Sequence, residues 1–370
     1  MKVYLCTLFI SMGLAFLYQE TNRNVNAYLT TQNPYRKQRE VDRSLCYVLA
    51  VLSALPFVLI TALRYRVGTD YLYYAASFNR VKEGKSSYFS NPIYNVMEKI
   101  ATFLGSEYIW IFCVTGVILI ACYWYVIYKQ SCYPVYSIFL FWGTNTYYIS
   151  LNGVRQGIAM GFLFVAIYFA IHKDVKKYLV FVILACLTHR GVVFFLPAYW
   201  LFQIRIKPKN VWLIVLVSLA SGVVAKSLIY SVIRLLGYGY YISGAYDNGN
   251  FEWIIAAINI VILSVFCFYE RTAEESEEKN EFQIYFWLQV LATASVMFSA
   301  AVPLAKRICW TFTIGQILSL PTLTKYEKSK IGKLILNAGI ILGFAISIYI
   351  GIVVKGAHKV LPYQWWFDKL

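Results

Sequence analysis

The chain has 370 residues, of which 59% are hydrophobic and 14% charged, with a formal net charge of +16. A soluble globular domain carries about 25% charged residues, so this composition excludes an ordinary soluble enzyme and points to the lipid bilayer as solvent. With apolar runs filling most of the chain, the positive balance suits anionic lipids and lipid phosphates rather than nucleic acid.

In chain order the apolar runs predict spans at 3–18, 44–63, 107–128, 133–150, 157–171, 178–203, 210–230, 252–269, 281–300, 308–323 and 331–354. Most approach the roughly 20 residues that cross the hydrocarbon core, and they far exceed the ten-residue alternating strands of a membrane barrel. Runs such as 211–224 and 331–354 also lack the polar stripe of a soluble helix. The expected fold is an all-α polytopic integral membrane protein of about 11–12 transmembrane helices. It is expected to form a single bundle over residues 1–370.

Met1 to Tyr18 carries one cation and no A-x-A-like site before Gln19, so it is expected to remain as the first span. The segment 178–203 is interrupted at Thr188-His189-Arg190-Gly191, which implies either a broken helix or a hairpin of two short ones. The longest non-spanning stretch, about 64–106, is expected to be extracytoplasmic. It contains Asn91-Pro92 and then an amphipathic helix from Ile93 to Leu104, expected to lie along the membrane surface. Lysine and arginine are distributed too evenly among the loops to fix the orientation. Arg64, Arg66, Arg155, Arg190 and Arg307 nevertheless all fall at span ends on one expected side. One such arginine is ordinarily a solvated, snorkelling cation. Several on one face favour an anionic ligand.

Four constellations carry chemistry. The first is Leu63-Arg64-Tyr65-Arg66-Val67-Gly68-Thr69-Asp70, ending at Tyr71 to Tyr74. Arginine suits diphosphate because its planar fork donates two parallel hydrogen bonds to phosphate oxygens. Asp70 can orient an arginine or accept a proton, and the alternative is a membrane-boundary turn with a surface ion pair. The second, Leu151-Asn152-Gly153-Val154-Arg155-Gln156-Gly157, puts one arginine at the head of an apolar helix, where free N–H groups and the macrodipole also favour an anion. An interfacial anchor is its plainer explanation. The third, Thr188-His189-Arg190, buries ionisable groups in an apolar stretch, which is costly and marks a functional candidate. His189 can serve as a general base near neutral pH. The fourth, Pro303-Leu304-Ala305-Lys306-Arg307, repeats the cation at a helix start.

Most of the eight cysteines lie in apolar runs without C-x-x-C spacing, as buried small hydrophobes do, and no disulfide or metal site is expected. With three histidines, scattered carboxylates and no D-x-D pair, neither zinc nor a nucleotide-sugar metal clamp is expected. The 32 tyrosines and 10 tryptophans are expected mainly in interfacial aromatic belts, with some serving as platforms for sugar rings.

Arg64-Tyr65-Arg66-Val67-Gly68-Thr69-Asp70 with Tyr74 resembles the opening signature of the EpsG family, Wzy-type bacterial polymerases of exopolysaccharide and O-antigen. Val154-Arg155-Gln156-Gly157-Ile158-Ala159 is similar to that family's central helix start. Ala185 to His189 followed by Leu196-Pro197 looks like its histidine segment, Arg307 its late arginine, and Leu361-Pro362-Tyr363 its closing Pro-Tyr. Arg190 departs from the small residue usual after the histidine, which leaves the role of that position open.

The resemblance implies a fold like the C-type membrane glycosyltransferases, in the bacterial inner membrane with the active site facing the periplasm. It implies a metal-independent glycosyltransferase without cofactor, which moves a growing glycan from undecaprenyl diphosphate onto the sugar of another undecaprenyl diphosphate-linked repeat unit. Under it Arg64, Arg66 and Arg155 grip the donor diphosphate, with Arg307 and Arg190 as further candidates. His189 deprotonates or positions the acceptor hydroxyl, Asp70 orients an arginine or the acceptor, and Tyr74 contacts sugar or lipid phosphate. A separate chain-length regulator is an implied partner. The competing expectations are an O-antigen ligase, which usually carries a larger periplasmic loop, and a lipid-linked oligosaccharide flippase, which should show paired repeats.

Overall fold

A computed structural model describes residues 1–30, 36–224, 226–235, 251–274, 276, 278–298 and 305–369. Pro303 and Leu304 of the fourth constellation lie outside them, as do residue 225 within the expected span at 210–230 and the last two residues of that at 281–300. The described residues are helical almost throughout, and no strand is present among them beyond one isolated bridge between Arg64 and Trp365. Among the described residues six helices are long and apolar enough to cross a membrane: Lys2–Asn24, Val41–Ala62, Ile109–Gln130, Val154–Ile171, Trp253–Ala273 and Lys330–Val354. Shorter apolar helices cover Pro134–Gly143, Arg190–Phe202 and Pro208–Gly222. The chain is a multi-pass membrane protein.

It divides into two compact units. The first contains Met1–Tyr168, Lys176–Arg190 and Phe344–Leu370. Its helices are α1 (Lys2–Thr30), α2 (Arg36–Ala62), α3 (Tyr71–Lys82), α4 (Pro92–Leu104), α5 (Ile109–Gln130), α6 (Pro134–Gly143), α7 (Thr146–Asn152), most of α8 (Val154–Ile171), and α9 (Val175–Thr188). The expected span at 133–150 is two helices, because Asn145 at the junction takes a left-handed conformation (φ 66°). Asparagine tolerates that conformation better than any other residue except glycine. Pro92 and Pro134 each open a helix, where the missing N–H costs nothing. The expected break near His189 is present: α9 ends at Thr188 and a 3-10 turn, Arg190–Phe195, follows.

α8 is the most enclosed of the six long apolar helices, with 72% of its span buried, against 17% for Lys330–Val354. Gly157 and Gly161 on α8 let neighbours approach closely, Ser150 of α7 and Cys122 of α5 respectively. The core is aromatic. Tyr4, Phe57, Tyr123, Phe141, Tyr147 and Tyr148 are buried and meet mostly edge to face or tilted, the arrangement favoured by ring quadrupoles. Tyrosine thus also serves in the core, beyond the expected interfacial belts. Some of these hydroxyls find buried acceptors, as Tyr4 does at the Val360 carbonyl (3.0 Å) and Tyr71 at that of Arg64 (3.1 Å), whereas those of Tyr94 and Tyr123 are buried without one.

The second unit contains Phe169–Val175 and Gly191–Gly343. Its helices are α10 (Ala198–Phe202), α11 (Pro208–Val224), α12 (Lys226–Leu235), α13 (Trp253–Glu274), α14 (Lys279–Met297), α15 (Ala305–Thr313), α16 (Gln316–Tyr326) and most of α17 (Lys330–Ile348). The expected span at 308–323 is broken at Ile314-Gly315 into α15 and α16. α14 is central and packs against α10, α11, α13, α15 and α16. A buried amide network ties these helices. Gln289 Nε2 donates to the Asn259 Oδ1 (3.0 Å), Gln316 Nε2 to the Gln289 Oε1 (2.9 Å), and Thr293 Oγ1 to the Gln289 carbonyl (2.9 Å). Lipid offers no hydrogen-bond partners, so polar groups at this depth are stable only when satisfied by one another.

Candidate anion site in the first unit

The site grows from the end of α2. The last four carbonyls of a helix have no intrahelical donor, and here three donors supply them. Tyr363 donates its hydroxyl to the Ile60 carbonyl (3.0 Å), Arg64 Nη1 to that of Thr61 (2.7 Å), and the Trp366 N–H to that of Leu63 (2.7 Å). Arg64 is 1% exposed, with its guanidinium 4.5 Å above the Phe112 ring and its Nε and Nη2 buried without a partner. The direct grip on a ligand expected of Arg64 is closed to it in this conformation. A cation at a helix C-terminus complements the macrodipole, which is why the side chain turns inward.

The following loop is held from two sides. Tyr65 N–H donates to the Gln364 carbonyl (2.8 Å) and Gly68 N–H to that of Lys359 (3.0 Å), so residues 359–366 form its wall. Across the loop, Asn152 Oδ1 accepts from the Thr69 hydroxyl (2.6 Å) and the Asp70 N–H (3.3 Å). Gly68 is required, since its φ is +100° and a Cβ there would lie 3.1 Å from the Leu151 carbonyl oxygen. Arg66 is exposed and left-handed (φ 52°), with its guanidinium 5.4 Å from the Tyr65 ring centroid. Such conformations cost energy and cluster at ligand clamps. Asp70 is exposed at the start of α3 and accepts from Thr69 Oγ1 (3.2 Å); among the described residues it forms no ion pair with an arginine.

Arg155 stands at the start of α8, half-buried and held on three sides. Its Nη1 donates to Asn91 Oδ1 (2.5 Å), its guanidinium carbon lies 3.9 Å over the Phe89 ring, and its main-chain nitrogen is 3.5 Å from the buried Tyr74 hydroxyl. Its Nε is buried without a partner. Burial pushes the Tyr74 phenol's pKa up against the pull of Arg155, so the phenol stays protonated. The Leu63 to Tyr74 and Leu151 to Arg155 motifs therefore meet at one end of the unit, with the Pro-Tyr tail beside them.

His189 and Arg190 belong to the same unit, at the end of α9, where the His189 N–H donates to the Ala185 carbonyl (2.8 Å). His189 is half-buried and Arg190 exposed. Arg307 is half-buried in the first turn of α15, in the second unit. Asn91, Phe89, Asn152 and Glu98 escaped the sequence analysis. Asn91-Pro92 was legible only as the pair preceding an amphipathic helix, and nothing local ties Asn91 to an arginine 64 positions away. Among the described residues no three His, Cys, Asp or Glu side chains cluster closely enough to hold a metal ion.

Fold and site together define a multi-pass membrane protein with arginines held at helix ends. The EpsG family model matches residues 47–365, and the chain belongs to the EpsG family. Membership associates it with exopolysaccharide-related polymerases and with lipid-linked polysaccharide substrates in general. No curated protein and no solved structure matches the chain.

Proposed function

We propose that this protein is a polysaccharide polymerase that transfers a growing glycan from undecaprenyl diphosphate to the sugar of a second undecaprenyl diphosphate-linked repeat unit, at the periplasmic face of the bacterial inner membrane. The observation that carries this reading is Arg155. A guanidinium pinned by Asn91 and Phe89 at the N-terminal end of an enclosed helix has its position fixed before any ligand arrives. Preorganised charge of this kind stabilises a leaving group as its charge develops.

In the proposed reaction an acceptor hydroxyl attacks the anomeric carbon of the donor glycan. The new C–O bond forms as the bond to the diphosphate oxygen breaks, and the electron pair leaves with undecaprenyl diphosphate. Arg155 and the exposed Arg66 take the diphosphate charge, with Arg190 as a further contact. His189 receives or orients the acceptor proton. Asp70, at the exposed mouth of the loop, orients the acceptor. Tyr74, held protonated beside Arg155, has a proton to donate to a phosphate oxygen. Arg64 is assigned to shaping the loop rather than to direct contact.

The test is a glycan ladder from full-length protein in nanodiscs, supplied with a defined undecaprenyl diphosphate-linked repeat unit and no nucleotide sugar. Wild type should give a ladder, and Arg155→Ala should lose it while remaining folded. A normal ladder from His189→Ala would remove the base assignment and leave the polymerase reading intact. Folded wild type that makes no ladder from several distinct repeat units would turn the assignment towards an O-antigen ligase or a transporter.

A further inference from the structure

Beneath Arg155 lies a carboxyl group that the proposed mechanism does not use. Glu98 sits on the inward face of α4, 0% exposed, one turn after Tyr94 and two turns after Asn91. Neither of its oxygens completes a hydrogen bond, and Tyr94 Oη and Arg155 Nε are likewise buried without partners. The outward face of α4 exposes Val96, Lys99, Ile100 and Phe103, and the inward face buries Tyr94, Met97 and Ala101 beside Glu98. An acid on the packed face of an amphipathic helix stands where an apolar residue is ordinarily found. Leaving a buried carboxyl incompletely satisfied is costly.

The surroundings of Glu98 all lead to Arg155. The Ser77 and Ser87 hydroxyls lie 3.1 Å apart and both face the carboxyl. Ser77 Oγ accepts from the Tyr88 N–H (3.2 Å) and Ser87 Oγ from the Phe89 N–H (3.0 Å). Two hydroxyls hold two protons, and one is used between them. The other is free to point at Glu98. This chain of contacts sets the loop that lays Phe89 on the Arg155 guanidinium.

We propose that Glu98 is the positioning residue that tunes the charge of Arg155, and with it the affinity of the site for diphosphate. The inference rests on the diphosphate reading above. The charged and titratable groups facing the carboxyl are Arg155 from α8 and Tyr94 from its own helix, with Tyr74 of α3 next to both. α5, which also packs on α4, has one charged residue, Lys129, in its last turn, and Cys113 is the only titratable group in its first half. Burial pushes the Glu98 pKa up, against the pull of Ser77, Ser87 and Arg155. Below that pKa the acid is neutral and the charge of Arg155 is uncompensated, so diphosphate binds best. As pH rises through it, the carboxylate forms, offsets the arginine and weakens binding. By reciprocity a bound diphosphate raises the Glu98 pKa further.

The experiment measures the Kd of inorganic pyrophosphate for full-length protein in nanodiscs, at fixed salt, from about pH 5 to about pH 9. Wild type is compared with Glu98→Gln, which keeps shape and loses ionisation, and with Glu98→Asp, which keeps ionisation. Pyrophosphate itself titrates in this range, so the informative quantity is the ratio of wild-type to Glu98→Gln Kd. That ratio should rise about fivefold or more from the acid to the alkaline end, and Glu98→Asp should follow wild type. A ratio flat across the range overturns the proposal, even if Glu98→Gln lowers the melting temperature. Wild type that binds no pyrophosphate at any pH, in protein with a normal melting transition, overturns the diphosphate reading and this proposal together.

Discussion

Gly157 offers the sharpest test of how α8 delivers Arg155. A Cβ at this position would lie 2.6 Å from the Ser150 Cβ and 2.7 Å from its Cα. Carbon atoms settle at about 3.5–4.0 Å, so α7 and α8 must part by about 1 Å to admit one methyl group. Overpacking of this kind costs about 1–3 kcal/mol, less the roughly 0.5–1 kcal/mol that alanine returns in helix propensity. The larger effect should be on rate. Arg155 is two residues away, and a displacement of about 1 Å at a catalytic group costs about 10²-fold. Gly161→Ala is the internal control, one turn further along α8, where a Cβ meets the Cys122 Cβ at 3.2 Å and a side chain can yield. Both variants are assayed for ladder formation and melting in nanodiscs. Gly157→Ala should lose about ten- to a hundredfold in rate, and Gly161→Ala less than about threefold, with similar melting temperatures. Wild-type rates from Gly157→Ala would refute the reasoning.

Asn91→Ala should lower polymerisation about tenfold, since it frees Nη1 of Arg155 while leaving the charge in place; an Asn91→Asp variant that matches wild type would show that any acceptor suffices. In the second unit, Gln289→Leu should destabilise by about 1–3 kcal/mol by removing the amide that bridges Asn259 and Gln316, read as a lowered melting temperature. Tyr363→Phe removes the donor to the Ile60 carbonyl and should cost about 1 kcal/mol of stability, with a loss of ladder if the loop loosens. Chelation with EDTA should leave ladder formation unchanged, in line with the absence of a metal-holding cluster among the described residues.

The long spans were legible because a run of apolar residues near bilayer length has few alternative uses. Ile109–Gln130 and Trp253–Ala273 lie close to where the hydropathy places them. The breaks at Asn145 and Gly315 were not, since a single permissive residue inside an apolar run carries little signal until packing selects the bend. Arg155 was legible as a cation heading an apolar helix, whereas its partners Asn91 and Phe89 are set by tertiary contact. Arg64 shows the limit from the other side. A boundary arginine reads the same whether it turns outward to a ligand or inward to cap α2, and only the placement of Thr61 and Phe112 decides. Tyrosine is ambiguous for a related reason: belt and core use the same amphipathic ring, and the core role of Tyr4 and Tyr71 rests on acceptors distant in sequence or set by the fold.

The pairing of the 64–68 loop with residues 359–366 also fixes an order of events during synthesis. The Tyr363 hydroxyl reaches a carbonyl 303 positions earlier in the chain. At about 5–20 residues per second, a ribosome needs about 15–60 s to travel between them. Throughout that interval the Ile60 and Leu63 carbonyls lack the donors that Tyr363 and Trp366 later supply, and Arg64 lacks the wall that later encloses it. Such non-local closure is slow and comes late in folding. The 64–68 loop is therefore among the last parts of the first unit to mature, and a nascent chain halted before residue 359 should enter the membrane yet hold no organised arginine loop.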